Sequence, residues 1–180
     1  MQEIRIHGRG GQGVVTTAEI IAIAAFYDNK NSQSFPSFGV ERTGAPIEAF
    51  ARIDNGLIRT REHIYRPDIL IILDPTLIGA IDITKGCDEK TKIIINTCLP
   101  KEKLNIRLPE KNIYTVDAAK IALKIFKKNI INTAILGALA KKTSIIGLNS
   151  LKKAIKKKFS DKGPEIINKN LSAIEEIYKL

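Results

Sequence analysis

Only two cysteines, two histidines, one methionine and no tryptophan occur in 180 residues. Cys87 and Cys98 cannot supply the four thiolates of an iron–sulfur cluster, and two thiols make no disulfide framework. Neither lies in a C-x-x-C, so they read as ordinary thiols of a reducing compartment. His7 and His63 each lie in or beside a strand-like run. No serine or cysteine constellation joins them, so they read as structural residues and no catalytic residue is assigned. Also missing is a Gly-Asp-Gly followed by a paired asparagine, the usual diphosphate–magnesium signature of thiamine enzymes. Charges interrupt every apolar run before it reaches the length of a membrane span, and the N-terminus lacks a signal peptide's hydrophobic core. A cytoplasmic chain with no membrane partner is expected.

What the chain has in excess is positive charge. It carries 29 basic against 19 acidic residues, a net +10, which points to an anionic ligand or partner. Much of that charge gathers in Leu151–Phe159, where Leu151, Ala154, Ile155 and Phe159 fall at helical spacing and the lysines take the remaining face. Such a stretch is most simply a solvated helix surface. Six phenylalanines and four tyrosines are few, none interleaves the lysines, and no nucleic-acid-binding signature accompanies them. Nucleic acid is not an expected partner.

The glycines are placed with more purpose. Gly8-Arg9-Gly10-Gly11-Gln12-Gly13 is a literal G-x-G-x-x-G. It follows a strand-like run, Glu3–His7, and opens into a helix-like one, Val14–Phe26. In that setting glycines let the backbone approach a phosphate, with the N–H groups of the helix start pointing at the anion. Arg9 adds a full charge. The alternative is that the glycines serve only close packing of strand on helix. A nicotinamide dinucleotide fails on one residue, because its site needs an acid at the end of the second strand, about 20 residues on. Asp28 is the only acid at that distance, and it lies in the turn before the second strand, Ser32–Phe35.

The remainder alternates strands and helices, and 180 residues suffice for one domain with its own core, here spanning 1–180. Ile47, Ala49, Ala51 and Ile53 alternate with Glu48, Phe50 and Arg52, a half-buried strand. Asp54-Asn55-Gly56 then predicts a tight turn into Leu57–Thr60, a hairpin. Asp68–Leu73, Lys92–Asn96 and Ile113–Val116 are short apolar runs suited to parallel strands buried on both faces. Helices are expected at Asp117–Lys128, Thr133–Lys142, Ser150–Phe159 and Pro164–Tyr178. The sum is a three-layer, Rossmann-like α/β domain with a mixed, mostly parallel sheet and an antiparallel hairpin.

Ligands of such sheets gather at the carboxyl ends of the strands. That rim would collect the glycine turn, Ser37 and Phe38, Asp74, Thr97, Cys98 and Asp117. Asp74 and Asp117 each precede a helix-like segment and read first as N-caps. Glu41 and Arg42 lie in a loop fenced by Gly39, Gly44 and Pro46, which suits an anion contact by Arg42 or a subunit interface.

The segment Ser34-Phe35-Pro36-Ser37-Phe38-Gly39-Val40-Glu41-Arg42-Thr43-Gly44-Ala45-Pro46, taken with Gly-Arg-Gly-Gly-Gln-Gly-Val-Val-Thr, resembles the gamma subunit of the pyruvate:ferredoxin oxidoreductases. These belong to the 2-oxoacid:ferredoxin oxidoreductases. The likeness continues, in order, through Asp74-Pro75-Thr76-Leu77, Val116-Asp117-Ala118, Asn132–Lys141 and Asn170–Ile174, nearly the whole chain. Thr43 stands where the family pattern has a second arginine, and no anion contact is carried over to that position.

The resemblance implies a reaction in which a 2-oxoacid, coenzyme A and oxidised ferredoxin give acyl-coenzyme A, carbon dioxide and reduced ferredoxin. It places thiamine diphosphate, magnesium and the iron–sulfur clusters on the alpha, beta and delta subunits. This chain is left with no cofactor or metal of its own, and with coenzyme A as the ligand it would help to hold. The matching positions are Gly8, Arg9, Gly10, Gly11, Gln12, Gly13, Ser37, Arg42 and Asn132. The Glu-Arg-x-Gly-Ala-Pro form points to pyruvate ahead of 2-oxoisovalerate. A non-catalytic scaffold subunit, with Phe35-Pro36-Ser37-Phe38 as an apolar anchor, is the alternative, and self-association of the isolated chain stays open.

Overall fold

A computed structural model describes residues 1–37 and 42–180. Six strands form one sheet in the order β2-β3-β1-β4-β5-β6. They are β1 (Gln2–Arg9), β2 (Asn31–Pro36), β3 (Pro46–Asp54), β4 (Ile69–Ile72), β5 (Lys92–Asn96) and β6 (Ile113–Val116). Strand β1 runs parallel to β4, β4 to β5 and β5 to β6, whereas β3 runs antiparallel to both β1 and β2. The mixed, mostly parallel sheet is the one expected.

The continuous apolar runs of β4 and β5 are buried on both faces, as parallel strands must be. Five helices follow: α1 (Val14–Tyr27), α2 (Ala118–Phe126), α3 (Leu136–Thr143), α4 (Leu148–Lys158) and α5 (Pro164–Lys179). Residues of all five join Ile4, Ile6, Ala49, Ala51, Ile69, Ile71 and Ile94 in one core on one face of the sheet. Opposite, Leu70, Ile72, Ile93, Ile95 and Ile113 meet Leu77, Ile83 and the half-buried Leu104, Ile106 and Leu108. The third layer is therefore irregular chain and 3-10 turns, not helices. The long connections that follow β3, β4 and β5 supply that cover without helical periodicity.

Two buried arginines tie this irregular layer down. Arg5 donates to the Ile83 and Lys85 carbonyl oxygens at 3.0 and 2.7 Å. Arg52 donates to Glu3 at 2.8 Å and to the Glu62 carbonyl at 2.6 Å, with its guanidinium 5.2 Å from the Phe35 ring centroid. A buried cation is tolerated where its donors are met in this way. Strand β3 is consequently buried at Phe50 and Arg52 as well as at its alanines, and is not the half-buried strand that its alternation suggests.

The expected hairpin is also misplaced. Leu57–Thr60 forms no strand, because β3 already has β1 on one side and β2 on the other and offers no free edge. The antiparallel hairpin is β2–β3, joined by the segment that carries Ser37 and Arg42. Asp54 accepts from Gly56 N–H at 2.8 Å, so the turn exists without the strand after it.

The blocks Asn132–Lys141 and Asn170–Ile174 pack against each other. Thr133 Oγ1 donates to Asn170 Oδ1, and both residues are buried. A Cβ at Gly137 would lie 2.3 Å from the Ile174 carbonyl oxygen, so α3 and α5 touch backbone to backbone there. Gly137→Ala must push the helices apart, and should lower stability by about 1–3 kcal/mol in urea unfolding of the full chain. Gly163→Ala, with open space around the glycine but φ of 82°, should cost only its backbone strain.

Candidate functional site

The glycine turn lies at the carboxyl end of β1, as its sequence setting predicts. Helix α1 starts at Gly13, whose φ of 75° and ψ of 30° are left-handed and which offers no side-chain cap. Among the described residues nothing accepts from the N–H groups of Val14, Val15 or Thr16. A helix start of this kind presents unfilled donors and the positive end of the dipole.

The six residues of the turn do different work. A Cβ at Gly8 would meet Val14 Cγ2 at 2.6 Å, and one at Gly10 would meet the Arg42 carbonyl oxygen at 2.3 Å. Both positions are packing glycines. Gly11, with φ of 92°, has no contact closer than Thr43 Cγ2 at 3.9 Å and faces open space. Gly13 sits under the Asn132 amide, where a Cβ would lie 2.5 Å from Nδ2. Asn132 is thereby brought to the start of α1, far in sequence but adjacent in space, and Thr17 Oγ1 donates to its carbonyl at 3.2 Å.

The loop between β2 and β3 is stitched to the same turn. Gly10 N–H donates to Ala45 O at 2.9 Å, Gly44 N–H donates to Gly10 O at 3.1 Å, and Gly10 and Thr43 form a β-bridge. Arg42 is exposed beside this bridge. Ser37 N–H donates to Glu48 O at 3.0 Å, which sets Ser37 at the end of β2 on the same rim. Phe38, Gly39, Val40 and Glu41 lie outside the described residues.

Arg9 is committed inward more than expected. Its guanidinium reaches Gly44 O at 3.0 Å, Thr76 Oγ1 at 2.9 Å and Asp74 Oδ2 at 3.2 Å. Gln12 accepts from Arg9 N–H at 2.8 Å and donates to Asp74 at 2.8 Å. Partial burial would push the Asp74 carboxyl up, but hydrogen bonds from Thr76 and Gln12 and the Arg9 charge together hold it below the usual range. Asp74 caps the 3-10 turn Pro75–Leu77, as its position suggests, and also clasps Arg9 and Gln12. Asp117 caps α2 through Lys120 N–H at 2.9 Å.

Asp28, the acid at dinucleotide distance, has another task. It accepts from Gly147 N–H at 2.7 Å and Ser150 Oγ at 2.6 Å, holding the start of α4. Antiparallel β3 separates β1 from β2, so no second-strand acid could reach a ligand as in a dinucleotide fold. Among the described residues no group of three or more His, Cys, Asp or Glu could hold a metal ion, and no helix is long and apolar enough to cross a membrane.

The fold and rim define a class: an α/β chain whose glycine turn is pinned to a second, distant segment. The chain belongs to the pyruvate ferredoxin/flavodoxin oxidoreductase family, whose model matches residues 3–180. It is a gamma-type subunit, alike over its whole length to single-subunit relatives. It is 48% identical over 99% of this chain and 96% of the relative to the pyruvate/ketoisovalerate oxidoreductases common subunit gamma of Pyrococcus furiosus. The pyruvate synthase subunit PorC of Methanocaldococcus jannaschii is 47% identical, again with 99% and 96% covered. The crystal structure of pyruvate oxidoreductase subunit PORC from Thermotoga maritima superposes with a TM-score of 0.83 at 36% identity, covering 99% of this chain and 95% of that one. A 2-oxoglutarate:ferredoxin oxidoreductase from Magnetococcus marinus, with 2-oxoglutarate, coenzyme A and succinyl-CoA bound, shares the fold at a TM-score of 0.76 and 20% identity. This chain matches 31% of that longer one.

His7 is buried in β1, and its burial adds a pH signature. Its side chain is 2% exposed, and neither ring nitrogen has a hydrogen-bond partner. Burial, and then the Arg5 charge, lower its pKa to about 3. The ring is therefore neutral, and Glu48 Oε1 at 3.5 Å from Nδ1 makes no ion pair with it. Below the unfolded pKa of about 6.5, the unfolded chain takes a proton that the native state refuses. Stability should fall by about 2 kcal/mol between pH 7 and pH 5, and be flat in this respect above pH 7. Urea unfolding of His7→Gln at the two pH values should show that part of the slope removed.

Proposed function

We propose that this gamma-type subunit serves an oxidoreductase acting on pyruvate or a branched-chain 2-oxoacid, and that its glycine turn binds a phosphate of coenzyme A. The observation that carries the reading is the stitching of Gly10 to the Arg42–Ala45 segment. It sets an exposed arginine beside a helix start whose N–H groups lack partners among the described residues. Coenzyme A brings about three to four negative charges at neutral pH in its diphosphate and ribose phosphate. Backbone donors of Gly11 and Gly13 and the charge of Arg42 would take one phosphate group, with Ser37 and Asn132 flanking it. Arg9 and Gln12 would act behind them, holding the turn in shape through Asp74.

The wider reading is a proposal of the same kind. Partner subunits, with ferredoxin as acceptor, would carry thiamine diphosphate, magnesium and the iron–sulfur clusters, and this chain would help to close the coenzyme A side. Four relatives carry names that join pyruvate and ketoisovalerate in one common subunit, which favours a chain that contacts the shared coenzyme more than the distinguishing oxoacid. A subunit of a cytoplasmic enzyme fits this role.

Arg42→Ala in the assembled oxidoreductase tests the phosphate contact. Loss of one charge-assisted hydrogen bond of about 1.5–3 kcal/mol should raise the KM for coenzyme A ~10- to 150-fold. The 2-oxoacid KM should stay level and the subunits should still copurify. Release of this subunit from the complex, with normal coenzyme A affinity in what remains, would show that the segment is an interface instead. Gly11→Val should also raise the KM for coenzyme A, because its side chain would project into open space at the turn, and at φ of 92° it should in addition cost backbone strain that urea unfolding detects. Gly10→Val should instead damage the fold, because it strikes the Arg42 carbonyl.

A further inference from the structure

The arginines are confined to one part of the chain. All eight lie between Arg5 and Arg107, and the stretch that forms α2 to α5 carries lysine alone as its cation. Arginine is enriched and lysine depleted where protein surfaces meet. A planar guanidinium can bond a carboxylate through two N–H groups and gives up its water more readily than an ammonium. Arg59, Arg61 and Arg66 fall close together in the connection between β3 and β4.

That connection, Leu57–Arg66, is gripped from beneath by its carbonyl oxygens. Arg52 bonds that of Glu62 at 2.6 Å and Arg5 that of Ile64 at 3.4 Å, while the missing side chain of Gly86 leaves room for that of Tyr65. Ile64 is buried, and the His63 ring centroid lies 5.1 Å from that of Phe50. The outward side is unengaged. Among the described residues, the one backbone N–H of Leu57–Arg66 that donates is that of Glu62, to Thr60 Oγ1 at 3.5 Å. Arg59, Arg61 and Arg66 are exposed, and among the described residues none of them enters an ion pair. Beside them Leu57 is 79% and Tyr65 68% exposed.

A single exposed leucine or tyrosine would need no explanation. Here both accompany three unengaged guanidinium groups on a backbone that is already fixed, which is the composition of an interface centre. The lysines of α4 differ. Lys152 and Lys158 are engaged by Glu175 and Glu19, and no large apolar side chain of that helix is exposed.

We infer that Leu57–Arg66 is a docking surface for an acidic face of another subunit of the oxidoreductase. Arg59, Arg61 and Arg66 would take carboxylates of that face, and Leu57 and Tyr65 would meet its apolar ground. The inference rests on the chain's membership of a family of multi-subunit oxidoreductases and not on the phosphate contact at the glycine turn. Nucleic acid fits less well. Glu62 stands among the arginines, and Glu48 and Asp82 line the adjoining cavity of about 450 Å³, where phosphates would be repelled.

The test is assembly, read as the partner subunits that copurify with a tagged full-length chain in low and in high salt. Reversing the three arginines together (Arg59→Glu, Arg61→Glu, Arg66→Glu) should cut recovery about tenfold or more. The neutral triple Arg59→Gln, Arg61→Gln, Arg66→Gln should lower it less and flatten its salt dependence, because salt screens only charged pairs. Tyr65→Ala should lower recovery at both salt concentrations. Reversing three exposed helix lysines (Lys142→Glu, Lys156→Glu, Lys157→Glu) changes the net charge equally and should leave recovery level. All these side chains are exposed, so urea midpoints of the full chain should stay near the parent's. Full recovery with both arginine triples, or an equal loss with the lysine triple, overturns the inference. So does an RNA or DNA oligonucleotide that the parent chain retains and the arginine reversal releases while the partner subunits stay bound. Complexes that do form should keep their KM for coenzyme A, so this surface and the Arg42 contact can fail separately.

Discussion

The absence of a Cβ at Gly10 governs the site. The Arg42 carbonyl oxygen occupies the space where that carbon would be. Because it does, the backbone of the β2–β3 loop can bond to the turn on both sides of Gly10. Two stretches about 30 residues apart become one surface. The Arg9 guanidinium, Gln12 and Asp74 then brace the turn from the sheet side, so the chain itself fixes its shape. Preorganised donors lose little on binding, and their orientation needs no further cost.

The opposite faces of the sheet are built by different means. One is an apolar interface with five helices, where shape and area are enough. The other is covered by chain without regular structure, which must find partners for many backbone groups. Arg5 and Arg52 meet part of that need by spending their donors on carbonyl oxygens of the covering loops. Such networks give little net stability, but they specify where an irregular segment lies. A cavity bounded by charged groups is a natural by-product of that arrangement.

The sequence was informative where a local rule and the global fold agree. Six strands and five helices fall where the sequence places them, and Asp74 and Asp117 are caps as their positions indicate. The turn signal at Asp54-Asn55-Gly56 was also sound. What it could not report is that both edges of β3 were already taken, since pairing is a property of the whole sheet. The helix layer missing from one face was illegible for a similar reason: loops that bury Leu104, Ile106 and Leu108 singly leave no period to detect. At the candidate site, glycine spacing marked the turn, the fenced loop marked Arg42, and the family likeness brought in Asn132. The inward commitment of Arg9 had no signal, because it depends on Asp74 and Thr76 arriving from a different strand. Asp28 could be doubted as a ribose acid from its place before β2, but its bond to Gly147 could not be foreseen.

The pairing of Thr133 with Asn170 has a consequence for the order in which the protein can be made. Helix α5 follows the other described helices and strands in the chain, yet it covers α2 and α3 and supplies the buried partner of Thr133. Until α5 has emerged from the ribosome, the core under those helices stays open to water, and the start of α1 lacks its finished support. Domains fold as units once their sequence has emerged. The rim with the glycine turn thus reaches its final form only after α5 has emerged, and partners that require it must join a chain that already carries α5.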